Sequence, residues 1–328
     1  MRIIEVITDS GHTDTLHGIA EQHAVIDVWT SDCSDEQRAS TRMLVPPDKQ
    51  QIVIDAIQTV LGSSENTRIL VLPIEASLPR SEDSSSEEKK QTGGRSREEL
   101  YEHIAAGSRL DSSFLLLVVF STIVATIGLL ENNLAVLIGA MVIAPLLGPN
   151  IALAFGTALG DSPLIWSALR TNLTGISLAL CLSFMIGLFW PMDSISEEIL
   201  ARTDVGFDGI AIALVSGAAA VLSLTTGLSS ALVGVMVAVA LLPPTATIGL
   251  MLATGHYQYV QGAVLLLAVN VVCVNLAAKL VFLMKGVKPR TWLEKRKARQ
   301  SMTAYIVFWL VTLLVLSITI VLRTDVIP

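Results

Sequence analysis

The chain beyond residue 110 consists of apolar segments long enough to cross a bilayer, and this feature restricts the fold more than any other. A spanning helix needs about 20 residues. Seven segments meet this length, at 112–130, 133–159, 163–190, 209–225, 228–254, 257–284 and 302–322. Because lipid offers no hydrogen-bond partner to an open backbone, spans of this length predict helices. The sequence therefore predicts an α-helical membrane bundle of about seven spans.

The second and fifth segments contain helix breakers at matching places. The stretch "GAMVIAPLLGPN" (139–150) holds two prolines, and "GVMVAVALLPPT" (234–245) holds two more. A shift of 95 residues aligns Gly139, Met141, Val142, Leu146, Leu147, Pro149 and Gly160 with Gly234, Met236, Val237, Leu241, Leu242, Pro244 and Gly255. Each unit has three spans, so the second enters from the opposite face. This predicts two inverted three-span repeats with broken middle helices, plus a seventh helix outside them.

A five-span alternative makes each broken segment a re-entrant hairpin. The basic residues of cytoplasmic loops help to decide between the two counts. Loop 191–208 has one basic residue, Arg202, and five acidic ones, whereas loop 285–301 has seven Lys or Arg. Seven spans place the first loop outside and the second inside. We therefore expect an inner (plasma) membrane protein with a cytoplasmic N-terminus and an extracytoplasmic C-terminus; no signal peptide is visible in the first residues.

The polar N-terminal part predicts a separate domain. Residues 1–76 follow the order βαββαβ, which indicates an α+β ferredoxin-like domain in the cytoplasm. The apolar residues of its second helix fall roughly on one face: Ile52, Ile54, Ala56, Ile57, Val60 and Leu61. The rest of the chain is divided into a disordered linker at 77–95, a pre-membrane helix at 96–111, the repeat at 112–284, a basic cytoplasmic loop at 285–301 and a last helix at 302–328. Ser96 and Glu99 form a capping box that opens the pre-membrane helix.

The head offers two weak site candidates. The turn "TDSGHTD" (8–14) precedes a helix N-terminus, where an anion can bind, although an ordinary solvated turn is the simpler interpretation. His12, His17 and His23 have a spacing that fits no familiar metal site. Cys33, Cys181 and Cys273 share no motif. We expect no metal and no cofactor.

The two breaks form the main candidate site. The N-terminus of each second half-helix carries about half a positive charge, and the two would approach each other near the midplane. We expect Asn150, Thr245 and Thr247 to cap these ends. The candidate substrate-binding residues are Gly148, Pro149, Asn150, Pro243, Pro244, Thr245, Thr247, Asn172 and Asn270. The alternatives are two kinked helices in a dry bundle and, for Asn172 and Asn270, ordinary interhelical hydrogen bonds.

Few ionisable residues lie in or beside the spans. Glu131 is a solvated turn residue or a gating group. Arg170 either snorkels to the cytoplasmic face or attracts anions. Lys279 is expected to snorkel. Asp161 and His256, which follow the broken helices, are expected to cap helices or face water.

The stretch "NNLAVLIGAMVIAPLLGPNIALAFGTALGD" (132–161) resembles a family of prokaryotic membrane proteins catalogued only as a domain of unknown function. The stretch "ALLPPTATIGLMLATG" (240–255) is similar to its second signature. The resemblance covers residues from about 110 to 285. It implies the membrane architecture, with a cytoplasmic head as in some members, and it implies no activity.

The composition narrows the function classes. A net charge of −7 gives no support for nucleic-acid binding, and no catalytic constellation is visible, so we do not expect an enzyme. The leading hypothesis is a transporter or channel-like carrier for a small polar or anionic solute. The alternatives are a regulatory or sensory membrane protein with a ligand-binding head, and an oligomeric membrane scaffold. The expected partners are a small solute or ion, the lipid bilayer and further copies of the chain.

Overall fold

A computed structural model describes residues 1–32, 38–46, 48–61, 66–74, 96–190, 194–226, 241–287 and 292–326. The predicted linker, the first half of the second broken helix and Cys33 lie outside these residues. The chain divides into two compact units, Met1–Leu100 and Tyr101–Pro328.

The first unit is a four-stranded antiparallel sheet with two helices. Its elements are β1 (Arg2–Asp9), α1 (Thr13–Gln22), β2 (Asp27–Asp32), β3 (Arg38–Val45), α2 (Gln50–Leu61) and β4 (Arg68–Pro73). The sheet order is β2-β3-β1-β4, with Ile4 of β1 opposite Met43 of β3 and Val71 of β4. The predicted βαββαβ order is therefore present, with β1 and β3 in the centre as in the split motif.

Alternation along β1 and β3 builds the core of this unit. Ile4, Val6, Met43 and Val45 point to the helices and are buried. The predicted face of α2 is partly wrong. The helix buries Val53, Ile54, Ile57 and Leu61, which recur at the helical spacing, whereas Ile52 and Val60 are eight residues apart and share the exposed side.

Helix α3 (Arg97–Ala106) begins with the predicted capping box. The Ser96 N–H donates to Glu99 Oε2 at 3.0 Å, and the Glu99 N–H donates to Ser96 Oγ at 3.2 Å. The first turn also contacts α2, because the Arg97 N–H donates to Gln51 Oε1 at 2.8 Å. The boundary between the two units falls after Leu100, inside the predicted segment 96–111.

The second unit is helical and apolar. Its elements are α4 (Ser112–Leu130), α5 (Leu134–Ile143), α6 (Leu147–Leu159), α7 (Ser162–Phe189), α8 (Glu197–Ala201), α9 (Phe207–Thr226), α10 (Leu242–Ala253), α11 (Tyr257–Met284) and α12 (Trp292–Val326). Within the described ranges, five helices are long and apolar enough to cross a membrane, and the bent pair α5–α6 could form a sixth span. The protein is therefore a multi-pass membrane protein.

Proline chemistry explains the bend of 46° between α5 and α6. Pro145 has no N–H to continue the helical ladder, and a residue before proline is pushed out of the helical conformation. Ala144 accordingly has an extended ψ of 122°. The C-terminal end of α6 is set by Gly160, which has a φ of 73° that favours glycine.

The described elements of the second half begin 95 residues after their counterparts. Helices α4, α6 and α7 begin at residues 112, 147 and 162, and helices α9, α10 and α11 begin at residues 207, 242 and 257. Gly255, the counterpart of Gly160, has a φ of 76°. Helix α11 packs against α6, α9, α10 and α12, and it is buried over most of its length.

Candidate functional site

The start of α6 places Asn150 deep in the bundle. Leu147 is the first residue of the helix, Pro149 is the third and Asn150 is the fourth. The Asn150 side chain is fully buried. The N-cap residue is Leu146, and Asn150 Oδ1 accepts from Asn275 instead of from the helix end, so the predicted capping role of Asn150 is wrong. A residue one turn inside a helix lies beyond the end that it would have to cap.

Gly148 has a packing role at the same helix end. A Cβ added at Gly148 would lie 2.4 Å from the carbonyl oxygen of Gly107, in the turn after α3. The absence of a side chain therefore permits two backbone segments to approach each other.

A buried asparagine pair joins α6 to α11. The Asn275 Nδ2 group donates to Asn150 Oδ1 and, at 2.9 Å, to the Val271 carbonyl in its own helix. Since a carbonyl can only accept, this second contact fixes which end of the Asn275 amide carries the hydrogens. Asn150 Nδ2 and Asn275 Oδ1 then have no hydrogen-bond partner among the described residues. The described residues thus leave one donor group and one acceptor of the pair without a partner.

Lys279 lies one helical turn beyond Asn275 and is also fully buried. Its Nζ is 4.8 Å from the centre of the Tyr305 ring and 5.5 Å from that of Trp309, both on α12. The prediction that Lys279 snorkels to water is therefore wrong, because two aromatic faces hold the ammonium within the protein. In the described part of the chain, Nζ has no hydrogen-bond partner.

The burial of these three polar side chains has a free-energy cost. Burying an ammonium ion costs several kcal/mol, and cation–π contacts in a desolvated site return about 2 kcal/mol or somewhat more. Each unpaired amide group costs about 1–3 kcal/mol in addition. Asn150, Asn275 and Lys279 are therefore costly residues to bury.

The second broken segment continues in α10, whose first two turns hold two prolines and two threonines. Pro243, Pro244, Thr245 and Thr247 are buried in α10. The Thr245 hydroxyl donates to the Leu241 carbonyl at 2.7 Å, and no described side chain caps α10, so the predicted capping by both threonines is wrong. Thr247 Oγ1 has no partner among the described residues.

The close approach of the two breaks near the membrane midplane stays a prediction. Residues flanking both breaks share one apolar cluster, which includes Ala144, Leu146, Leu241, Leu242 and Ala246. The described partner of Asn150 is Asn275 of α11. Prolines at the second and third positions of α10 also leave few free N–H groups there.

Residues 141–276 match the family described as Domain of unknown function (DUF389). An uncharacterized protein of Methanocaldococcus jannaschii is 31% identical over 294 residues, which cover 90% of this chain and 91% of the relative. The chain belongs to the DUF389 family. No solved structure matches it. The DUF389 match includes Asn150 and Asn275, and it ends three residues before Lys279.

The other predicted polar residues of this DUF389 chain are spread over the bundle. Asn172 and Asn270 are nearly buried in α7 and α11, and Asn172 Oδ1 has no partner in the described part of the chain. Arg170 is exposed on α7, on the same side as the strongly exposed Trp166, which suits snorkelling better than a role within the bundle. Glu131 is exposed in the turn after α4, and none of its described contacts supports a gate.

The residues after the two broken helices differ in their roles. Asp161 caps α7 by accepting from the Leu164 N–H at 3.1 Å, and its Oδ2 accepts from the Tyr101 hydroxyl at 2.7 Å. That hydrogen bond, with burial, raises the pKa of Tyr101 to about 12. His256 is exposed, and its Nδ1 lies 2.9 Å from the Thr254 hydroxyl.

The head of the DUF389 chain gains no support for a ligand site. In the turn at 8–14, the Thr13 hydroxyl donates to the Ser10 carbonyl at 2.9 Å. His17 Nε2 lies 3.0 Å from the Thr30 hydroxyl. Among the described residues, no group of three His, Cys, Asp or Glu is placed to hold a metal ion. Anion binding at this turn stays a prediction.

Sequence reasoning missed the cluster around Lys279. Asn275 and Lys279 are four residues apart, a spacing that places both on one helix face. Two strongly polar residues on one face of a long apolar helix are a detectable signal. Their pairing with Asn150 of α6 is a contact between distant parts of the chain, which local patterns do not reveal.

Proposed function

We propose that this protein is a transporter or channel-like carrier for a small polar or anionic solute. The observation that carries the proposal is the buried Asn150–Asn275 pair beside a broken helix, with one donor and one acceptor that have no partner among the described residues. Polar groups inside a membrane bundle are expensive and commonly mark a solute pathway. An anchor has no need of them.

One hydrogen bond supports a complete crossing by α5 and α6 together. Tyr101 precedes α4, and Asp161 follows α6, yet their side chains are bonded. If α4 crosses the membrane, the chain must return before Asp161. If α5 and α6 formed a re-entrant hairpin, Asp161 would lie on the opposite side of the membrane from Tyr101. The hydrogen bond between them therefore favours one broken span.

Crossed contacts between the two halves support an inverted repeat. Phe155 of α6 packs on Phe282 of α11, with ring centroids 5.0 Å apart. The counterparts of these residues are Leu250 of α10 and Gly187 of α7. They also meet, because a Cβ added at Gly187 would lie 3.2 Å from Leu250 Cδ2. Each second half-helix thus packs on the third helix of the other unit, as a pseudo-two-fold axis requires.

The directions of these helices agree with seven spans. Asn150 contacts Asn275, and further along both helices Phe155 contacts Phe282. Because the residue numbers rise together, α6 and α11 run parallel. Close approaches of Gly249 to Ser183 and of Ala253 to Gly187 make α10 parallel to α7. With the head inside, as the charges of the loops favour, the end of α12 lies outside the cell.

The proposal is tested by solute uptake into proteoliposomes. We expect the full chain to admit at least one solute from a panel of small neutral and anionic compounds faster than protein-free liposomes do. Asn150→Leu should abolish this uptake, because it removes the free donor and the partner of Asn275. Thr122→Val is the matched control, and it should retain uptake since the buried Thr122 hydroxyl of α4 donates to the Val118 carbonyl in its own helix.

The regulatory alternative gives the opposite result. A membrane anchor with a sensory head would admit none of the solutes, and Asn150→Leu would then change only the stability of the bundle. Uptake that is equal in the wild type and in Asn150→Leu would refute the site even if the protein transports.

A further inference from the structure

Lys279 shares one interface with the asparagine pair. On α11, Asn275 and Lys279 are four residues apart, and Phe282 follows at the seventh position of the same face. Asn275 contacts Asn150 and Phe282 contacts Phe155, both on α6. Lys279 therefore lies between two points at which α11 touches α6, and its ammonium lies against the rings of α12.

The three buried groups have complementary chemistry. The Lys279 ammonium offers a positive charge and N–H donors, Asn150 Nδ2 offers a further donor, and Asn275 Oδ1 offers an acceptor. A neutral solute would leave the charge uncompensated. A simple anion without hydrogens would leave the acceptor unsatisfied.

We propose that Asn150, Asn275 and Lys279 bind a small monoanion that also carries a hydrogen-bond donor, such as a hydroxyl-bearing oxyanion. This inference rests on the proposed function, since the anion would be the transported solute. Lys279 balances the charge, Asn150 donates to the anion, and Asn275 accepts from its hydroxyl. A single lysine matches a single negative charge.

Bicarbonate and nitrate form a matched pair of probes. Both are small planar monoanions, and only bicarbonate carries an O–H. Each is titrated into the purified full chain in detergent at constant ionic strength, with thermal unfolding as the readout. We expect bicarbonate to bind about tenfold more tightly than nitrate, the effect of one satisfied buried hydrogen bond.

Three variants assign the roles. Lys279→Met keeps a long side chain in the same space, removes the charge and should abolish binding of both anions. Asn275→Leu should remove the preference for bicarbonate. Lys285→Gln removes an exposed positive charge just after the end of α11 and should change neither. If Lys279→Met does not accumulate, the comparison of the two anions on the wild type decides alone.

Several results would overturn the inference. These are no binding of bicarbonate to the wild type, equal binding of the two anions, or unchanged binding in Lys279→Met. Uptake of a neutral solute that Lys279→Met leaves intact would overturn the inference and leave the proposed function standing. Bicarbonate binding without uptake of any solute would support the anion site and refute the transport function.

Discussion

At the scale of single residues, a glycine permits close helix packing at the start of α6, and a buried amide supplies the polar contact. Gly148 lets the start of α6 approach the Gly107 carbonyl. Two positions later, Asn150 turns into the interface with α11. The same helix end thus contributes close packing through a glycine and chemistry through an amide.

Gly148→Ala should destabilise the bundle. Its Cβ would lie 2.4 Å from a backbone oxygen, which cannot move aside as a flexible side chain can. We expect a loss of about 1–3 kcal/mol, typical of overpacking. Gly139→Ala on α5 is the control, because no atom of the described residues lies within 4 Å of its added Cβ, and alanine favours the helix. Thermal unfolding in detergent compares the two, and equal melting temperatures would contradict the account.

At the scale of elements, local chemistry explains which parts of the fold are predictable. Pro145, Gly160 and the Ser96–Glu99 capping box act on their own neighbours, so the ends of α3, α5 and α6 follow from the sequence. The 95-residue shift recurs in the starts of α9, α10 and α11. The Asn150–Asn275 pair and the burial of Lys279 depend on which helices meet, and hydropathy does not encode this.

The Tyr101–Asp161 bond ties α3 to the start of α7 and gives a pH signature. The folded pKa of about 12 exceeds the unfolded value of about 10, so the bond stabilises the protein fully below about pH 10. Its contribution is lost as the pH rises towards 12. The tyrosinate absorbance is therefore measured as a function of pH in the wild type and in Tyr101→Phe. The difference between the two titration curves should have its midpoint near pH 12. A midpoint near pH 10 would show that the bond is absent.

At the scale of the whole molecule, the account requires an odd number of crossings. In the proposed topology, two inverted three-span units are followed by α12, which adds one more crossing. A reporter that is active only in the cytoplasm should work when fused to the head and fail when fused after α12. Activity at both ends would remove the seven-span topology and the inverted repeat together.

The central claim is that a solute reaches the buried asparagine pair, and thiol labelling tests it without knowledge of the solute. In a chain whose three cysteines are replaced, Asn150→Cys is exposed to a membrane-impermeant thiol reagent in proteoliposomes. Ala213→Cys is the control, since Ala213 of α9 is nearly as buried but lies in a separate apolar cluster with Val269 and Ile320. We expect Asn150→Cys to react and Ala213→Cys to remain unlabelled. Resistance of both positions in the folded protein, with the reagent on either side, would contradict it.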